Sequence, residues 1–276
     1  MKDCFFTFGG RVFWEDLFVK HGWRIQRNLT SKKFRLLDNF DIVRFEGSYK
    51  KALAEFSVYS AAYELDKKNN NEDLVIMLHG YGQSGKIFKT LADYLRAKRI
   101  DAQSIEYPST QRRVADNAKQ LNMVLDNLTD YKQVSFVTFG SGNILLEEAL
   151  RQRKNVNPHI NKIVEISPNM GNIGWLAKIS RYDLFKFIFG ETCFNLAAEN
   201  IASLHHIPNA QIGVINIKDS KKNFLSPNKP TRADEEVKNW CGAQEILSVF
   251  ANRSNVLNLK NVHEAVFRFL TSSKLR

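Results

Sequence analysis

The order of apolar and polar residues divides the chain at a polar connector, residues 66–73, with the sequence DKKNNNED. Before it, Trp23 and Ile25, and then Phe34 and Leu36, alternate with polar residues around the sequence NLTSKK. A period of two is typical of half-buried β-strands, so this pattern predicts a hairpin.

The segment 48–65 carries apolar residues at helical spacing, and Ser48 is placed to cap its start. A serine ahead of an amphipathic run is a helix-start signal, so a helix is predicted here.

After the connector, strand-like apolar runs alternate with amphipathic segments of helical period. The predicted strands are 74–78, 101–110, 134–139, 162–167, 212–217 and 245–250, and the predicted helices are 86–99, 112–128, 143–153 and 261–273. This alternation predicts a mainly parallel sheet with helices on both faces.

One stretch, LVIMLHGYGQSGKIF at 74–88, admits two interpretations. It fits a phosphate-binding loop, G-x-x-x-x-G-K, and it also fits the turn after an apolar strand that supplies an oxyanion hole. A phosphate-binding loop needs Ser or Thr after its Lys to hold Mg²⁺. Ile87 follows Lys86 here, which weakens the first interpretation.

The second interpretation is strengthened by the motifs that follow, and from Trp23 to its end the chain resembles the serine lipase/esterase branch of the α/β-hydrolase superfamily. The resemblance is carried by VIMLHGYGQSGKIFKTLADYLRAKRIDAQSIEYPST, VSFVTFGSGN, KIVEISPNMGN and VHEAVFRFL, in that order. It implies an α/β-hydrolase fold with a mainly parallel central sheet and a small helical cap near 171–210. It also implies one domain at 21–276 after an N-terminal segment at 1–20, and a Ser-His-Asp triad that hydrolyses carboxylic esters.

The nucleophile position of that family falls on Gly140, and Ser141 stands one place later, where a backbone N–H normally serves the oxyanion hole. The turn is tight, so a shift of one residue points a side chain elsewhere. Two alternatives stay open: a remodelled turn that presents Ser141, or no nucleophile.

The position of the family's histidine falls on Arg253 or a neighbour. Arginine stays protonated and cannot act as a general base. His263 is close in sequence but lies inside a predicted helix. The acid position matches Asp219 or Asp234, and without a histidine to orient neither has a triad task.

The residues expected to form the oxyanion hole are present in the sequence. The backbone N–H groups of Tyr81 and Ser141 are placed to form a cradle, and Gly80 and Gly82 allow close approach of a ligand. His79 matches the family's turn, where its expected task is structural.

Composition adds limits on cofactors, partners and location. The net charge is +11, and the three cysteines form no C-x-x-C. The pair His205 and His206 has no spaced carboxylate beside it, so neither a metal nor a cofactor is expected.

Aromatic and arginine residues interleave over only a few positions, so nucleic acid is not favoured as a partner. No 18-residue apolar run or signal peptide is found, and a cytoplasmic location is expected.

Three hypotheses follow. The first is an α/β-hydrolase-fold protein with a degraded triad that binds a small ester, a lipid-like ligand or a partner. The second is an active serine ester hydrolase using Ser141, with His79, His263 or another histidine brought close by folding as base, and Asp219 or Asp234 as orienter. The third is a basic non-catalytic module that binds anionic surfaces.

Overall fold

The computed structural model describes residues 13–65, 73–155, 157–168, 210–218 and 232–276. The predicted cap at 171–210 lies outside these residues except for Ala210, and Asp219, His205 and His206 also lie outside them.

The N-terminal part is a four-stranded antiparallel sheet in which neighbours in sequence pair in order. Its strands are β1 Trp14–Lys20, β2 Trp23–Asn28, β3 Phe34–Leu37 and β4 Val43–Gly47. The predicted hairpin is confirmed as β2 and β3, with Ile25 opposite Leu36.

Helix α1, Tyr49–Ala62, covers one face of this sheet. The Ser48 hydroxyl accepts the N–H of Lys51, as expected of a residue that caps a helix. Phe56 packs edge-on against Phe18, with ring centroids 4.9 Å apart. The helix therefore closes a small aromatic core against β1 and β2.

The rest of the described chain forms a six-stranded parallel sheet with the order β10-β9-β8-β7-β5-β6. Its strands are β5 Asp73–Leu78, β6 Asp101–Ile105, β7 Gln133–Phe139, β8 His159–Ile166, β9 Gln211–Lys218 and β10 Glu245–Phe250. Each coincides with a predicted strand, although β6 ends sooner than the pattern indicated.

Helices lie on both faces of the parallel sheet, as predicted. Lys89–Ala97 (α2) and Lys260–Ser272 (α6) pack on one face, while Val114–Asp126 (α3) and Gly142–Gln152 (α4) pack on the other. A further helix, α5 at Arg232–Trp240, was not predicted; its Val237 packs against Val214 of β9.

The two sheets are joined by backbone at one point. The N–H of Asp16 donates to the carbonyl of Glu106 at 3.0 Å, and the N–H of Glu106 donates to the Asp16 carboxylate at 2.7 Å. Strand β1, which lies within the segment predicted as a separate 1–20, thus pairs with β2 and contacts the end of β6.

Because the six strands are parallel, their carboxyl ends lie at one edge of the sheet. The segments that follow β5, β7 and β10 all emerge there and carry His79, Gly140 and Arg253. Within the described residues, no helix is long and apolar enough to cross a bilayer.

Candidate functional site

The turn between β7 and α4 is sharp. Gly140 follows the strand with φ +56°, and α4 begins two residues later at Gly142. The N–H of Gly140 donates to the carbonyl of Ile166 at 3.1 Å, which continues the pairing with β8. A strand, a residue in the left-handed region and a helix are the elements of a nucleophile elbow. The position at which that elbow presents its nucleophile is Gly140, which has no side chain.

The turn after β5 lies directly against this elbow. A Cβ atom added at Gly142 would stand 2.4 Å from the carbonyl oxygen of Leu78, and one at Gly80 would stand 3.1 Å from that of Phe139. These contacts place the His79–Gly82 turn beside the start of α4, where the family's oxyanion hole is expected.

Arg253 fills the space that a side chain at position 140 would occupy. Its Nη2 atom lies 2.6 Å from the point where a Cβ of Gly140 would stand. The guanidinium carbon also lies 5.3 Å from the ring centre of Phe139, in the range of a cation–π contact. The loop after β10 thus brings an arginine to the elbow, where the family places its histidine.

Ser141 does not point toward a base. Its hydroxyl oxygen accepts the backbone N–H of Tyr81 at 2.8 Å, and among the described residues no histidine hydrogen bonds to it. Nor does this hydroxyl cap α4, although Ser141 stands at the N-cap position. One of the two predicted oxyanion donors, the N–H of Tyr81, is therefore occupied by the protein's own serine.

The neighbouring N–H groups of the same turn are also occupied. Gly80 donates to the amide oxygen of Gln83 at 3.0 Å, and Gly82 donates to the hydroxyl of Ser109 at 3.1 Å. Gln83 and Ser109 were not singled out in the sequence. The turn signal YPST after β6 is the feature that could have pointed to Ser109.

A small cavity of ≈ 20 Å³ adjoins Ser141. It is lined by Tyr81, Tyr107, Ser109, Val114, Asn117, Ser141 and Leu145. A cavity of this volume holds about one water molecule. The described part of the pocket is therefore small at the point where a scissile ester would have to bind.

His79 is fully buried below the turn. Its ring stacks on Tyr107 with centroids 4.0 Å apart, and its Nδ1 lies 2.9 Å from the carbonyl oxygen of Gly80. Burial lowers the pKa of His79 to about 4, so the ring is neutral at pH 7. These contacts are those of a packed side chain that supports the turn.

His263 is in helix α6, as the sequence indicated. Its Nε2 lies 2.7 Å from the carbonyl oxygen of Leu257, and its ring packs on Tyr94 with centroids 5.3 Å apart. Among the described residues its contacts are with Leu257 and Tyr94 and not with the elbow, and it holds a 3₁₀ turn at Val256–Asn258.

Asp234 is buried in α5, and the negative charge of its carboxylate is neutralised by Lys218 of β9. Its carboxylate lies 2.5 Å from Nζ of Lys218 and accepts a hydrogen bond of 2.9 Å from the Asn216 side chain. Both of those partners lie near the carboxyl end of β9, which is the position after which the family places its acid. Lys218 therefore holds this carboxylate in an ion pair.

The site, taken together, offers a cation, while the N–H groups of Gly80, Tyr81 and Gly82 donate within the protein. Among the described residues no general base hydrogen bonds to Ser141. Among the residues that the structure describes, no group of three or more His, Cys, Asp or Glu side chains could hold a metal ion.

Sequence comparison yields no family assignment: no protein-family model matches, and no curated protein matches significantly. Solved structures do match. Polyneuridine aldehyde esterase is 12% identical, with 72% of this chain and 99% of that chain covered at a TM-score of 0.51.

Two further matches carry related names. A lipase-esterase related protein from Clostridium acetobutylicum is 15% identical, covering 72% of this chain and 95% of its own, with a TM-score of 0.49. A type II thioesterase from the borrelidin biosynthetic cluster is 14% identical, covering 72% and 91%, with a TM-score of 0.48. At these identities the likeness shows the fold alone, and the predicted α/β-hydrolase fold is confirmed.

Proposed function

We propose that this protein, built on the α/β-hydrolase fold, binds its ligand without cleaving it. The observation that carries the proposal is the placement of Arg253 against Gly140, with Nη2 2.6 Å from the site of the missing Cβ. A guanidinium and a bare glycine thus stand where the fold usually holds the catalytic base and the nucleophile.

Acyl transfer needs a nucleophile, a base that removes its proton, and donors that stabilise the oxyanion. Ser141 is the only hydroxyl next to the elbow position in sequence, and Tyr81 holds its oxygen through a backbone N–H. For Ser141 to attack, that bond would have to break and a base would have to approach. Arg253 cannot serve, because a guanidinium keeps its proton at neutral pH.

Even a hydrolase that loses its triad retains about 10³–10⁴-fold catalysis over water from its oxyanion hole and binding energy. In this protein the Tyr81 N–H, which would supply part of that remaining catalysis, already donates to the Ser141 hydroxyl. We therefore expect ester turnover to be lower than in a simple triad knockout.

The test is hydrolysis of p-nitrophenyl acetate and p-nitrophenyl butyrate by the full chain, compared with Ser141→Ala and with the control Ser57→Ala, which changes an exposed serine of α1. We expect all three proteins to give the rate of buffer alone. Saturable turnover that Ser141→Ala abolishes and Ser57→Ala leaves intact would overturn the proposal in favour of an active serine hydrolase.

A second candidate function is association with an anionic bilayer, favoured by the turn between β3 and β4. Its apolar side chains are exposed, Phe40 by 75%, Ile42 by 50% and Val43 by 42%. The turn is held in shape by the buried Asp38, whose carboxylate accepts the N–H groups of Phe40 and Ile42. A rigid apolar tip on a chain of net charge +11 matches the chemistry of an acidic lipid surface.

Co-sedimentation with vesicles of phosphatidylcholine and phosphatidylglycerol tests this candidate. We expect binding that weakens with salt and that falls in Phe40→Ser/Ile42→Ser. The control is Val58→Ser, because Val58 is 64% exposed on a different surface, helix α1. Binding that is insensitive to salt, or equal in both variants, would contradict the assignment.

A further inference from the structure

We infer that the elbow around Gly140 is a carboxylate-binding site, with Arg253 as its principal contact. The inference rests on the proposed function and deepens it, because it names the class of ligand. The proposed ligand is an organic acid, whereas proteins of this fold are expected to bind a neutral ester.

The first step concerns the charge state and partners of Arg253. Arg253 is exposed, and its partial burial lowers the pKa of its guanidinium from the usual value for arginine, but the group stays protonated at neutral pH. Among the described residues no carboxylate lies within salt-bridge distance of it and no acceptor hydrogen bonds to it; it lies near the ring of Phe139 and beside the empty Cβ position of Gly140.

This environment differs from that of most arginines in the described residues. Carboxylate partners within ion-pair distance are held by Arg24, Arg27, Arg44, Arg96, Arg112, Arg113, Arg151 and Arg153. Arg253 instead lies beside Gly140, which has no side chain of its own.

The second step concerns the groups beside Arg253. The Ser141 oxygen already accepts from Tyr81, so its own proton is left to donate. Helix α4 begins at the same point, and the positive end of its dipole adds to the charge of Arg253.

The third step selects the ligand class. A planar guanidinium matches a carboxylate through two parallel hydrogen bonds, and such charge-assisted pairs are stronger than neutral ones. An ester of the same acid presents no charge and only one good acceptor, so the site discriminates against it. A short-chain acid is the probe, and because the described cavity next to Ser141, at ≈ 20 Å³, holds about one water molecule, the acyl chain would lie outside that cavity.

The experiment is an NMR titration of the full chain with butyrate, following the Nε–Hε signals of the arginines. The signal of Arg253 is identified by its loss in Arg253→Lys. We expect butyrate to shift that signal saturably, and methyl butyrate to leave it unchanged. In Arg253→Gln, butyrate affinity read from the amide signals of Tyr81 and Ser141 should fall roughly 10-fold to 100-fold. Arg253→Lys should retain part of it.

The matched control is Arg96→Gln, which removes an exposed arginine paired with Asp93 far along the chain from the elbow. Butyrate affinity should be unchanged in that variant. Equal binding by Arg253→Gln and the unmodified protein, or no shift at all, would overturn the inference. A titration in which inorganic phosphate binds more tightly than butyrate would overturn the carboxylate assignment.

The variant Asp219→Asn tests whether Arg253 binds an added carboxylate or a carboxylate of the chain itself. Butyrate binding that appears only in this variant would mean that Arg253 belongs to an ion pair within the chain, and the inference would be wrong. The ester assay separates this failure from that of the proposed function: absence of both turnover and butyrate binding rejects the carboxylate site alone, whereas Ser141-dependent turnover rejects the proposed function.

Discussion

The guanidinium of Arg253 occupies the side-chain space of Gly140, with Nη2 2.6 Å from the point where a Cβ would stand. The two residues are therefore physically linked. A side chain at position 140 would stand too close to Nη2 of Arg253, so the flexible and exposed arginine side chain would have to move aside.

We predict that Gly140→Ala destabilises the protein more than Gly82→Ala does. Both glycines have positive φ, +56° and +70°, so both substitutions incur the left-handed penalty of about 1–2 kcal/mol. A Cβ at Gly82 meets nothing within 4 Å, whereas one at Gly140 meets Arg253. Urea unfolding measures both free energies.

The same comparison in the Arg253→Ala background completes a double-mutant cycle. There the excess cost of Gly140→Ala should shrink toward that of Gly82→Ala. If the excess stayed the same after removal of the arginine, the contact between the two residues would not be the cause.

Ser141→Ala should expose the amide of Tyr81 to hydrogen exchange. The substitution removes the acceptor at 2.8 Å and leaves a partly buried N–H without its partner, at a cost of about 1–3 kcal/mol. Amide exchange followed by NMR should become faster at Tyr81 and stay unchanged at Gly82.

Ser109→Ala is the matched reciprocal, because Ser109 accepts the N–H of Gly82. It should accelerate exchange at Gly82 and leave Tyr81 protected. Protection of Tyr81 that survives Ser141→Ala would show that the serine hydroxyl does not occupy the predicted oxyanion donor.

Asp234→Asn should lower stability strongly. Asp234 is completely buried and pairs with Lys218, whose side chain is only 10% exposed. Removal of one charge from a buried pair leaves the other uncompensated, which costs about 3–5 kcal/mol. Thermal and urea unfolding measure the loss, and the double variant Lys218→Gln/Asp234→Asn should recover part of it. Butyrate affinity should be unchanged in the folded fraction, because Asp234 is bound to Lys218 and Asn216 of β9.

Stability should fall as pH rises from about 5 to about 8. Burial, with the charge of Glu165, raises the pKa of Glu147 to about 8, and burial raises that of Glu165 to about 7. The unfolded chain loses these protons near the ordinary glutamate pKa of 4.5, so the folded state binds more protons through this window. The free energy of unfolding is therefore highest below pH 5 for these two groups, and their contribution is lost as pH passes their folded pKa values.

Glu165→Gln checks this pH dependence, because the amide keeps the shape of the side chain without its titration. Urea unfolding at pH 5 and pH 8 should show a smaller difference in the variant than in the unmodified protein. An equal difference in both would assign the pH dependence to other groups.

The sheet and most helices could be predicted because their sequence patterns are local. Strands such as Asp73–Leu78 are buried on both faces and read as uninterrupted apolar runs. Strand β1 was missed because Glu15 and Asp16 interrupt its apolar pattern, yet both are completely buried. The partners that make this burial tolerable, Arg27 and Arg112 on Glu15, lie 12 and 97 residues away.

Part of the candidate site could likewise be predicted from the sequence, and part of it could not. The order of motifs was enough to predict that Gly140 and Arg253 lie at one edge of the sheet, since each follows a recognisable strand. The bond from Tyr81 to Ser141 could not be read from the sequence, because it joins residues 60 positions apart through the packing of two turns. The same is true of Ser109, whose contact with Gly82 spans 27 positions.

The decisive measurement is the intact mass of the full chain after incubation with an alkyl fluorophosphonate, which forms a stable adduct with an activated serine. A protein in which Arg253 faces Gly140 and Tyr81 holds the Ser141 hydroxyl should keep its unmodified mass. Stoichiometric phosphonylation that maps to Ser141 and disappears in Ser141→Ala would contradict the non-hydrolytic assignment.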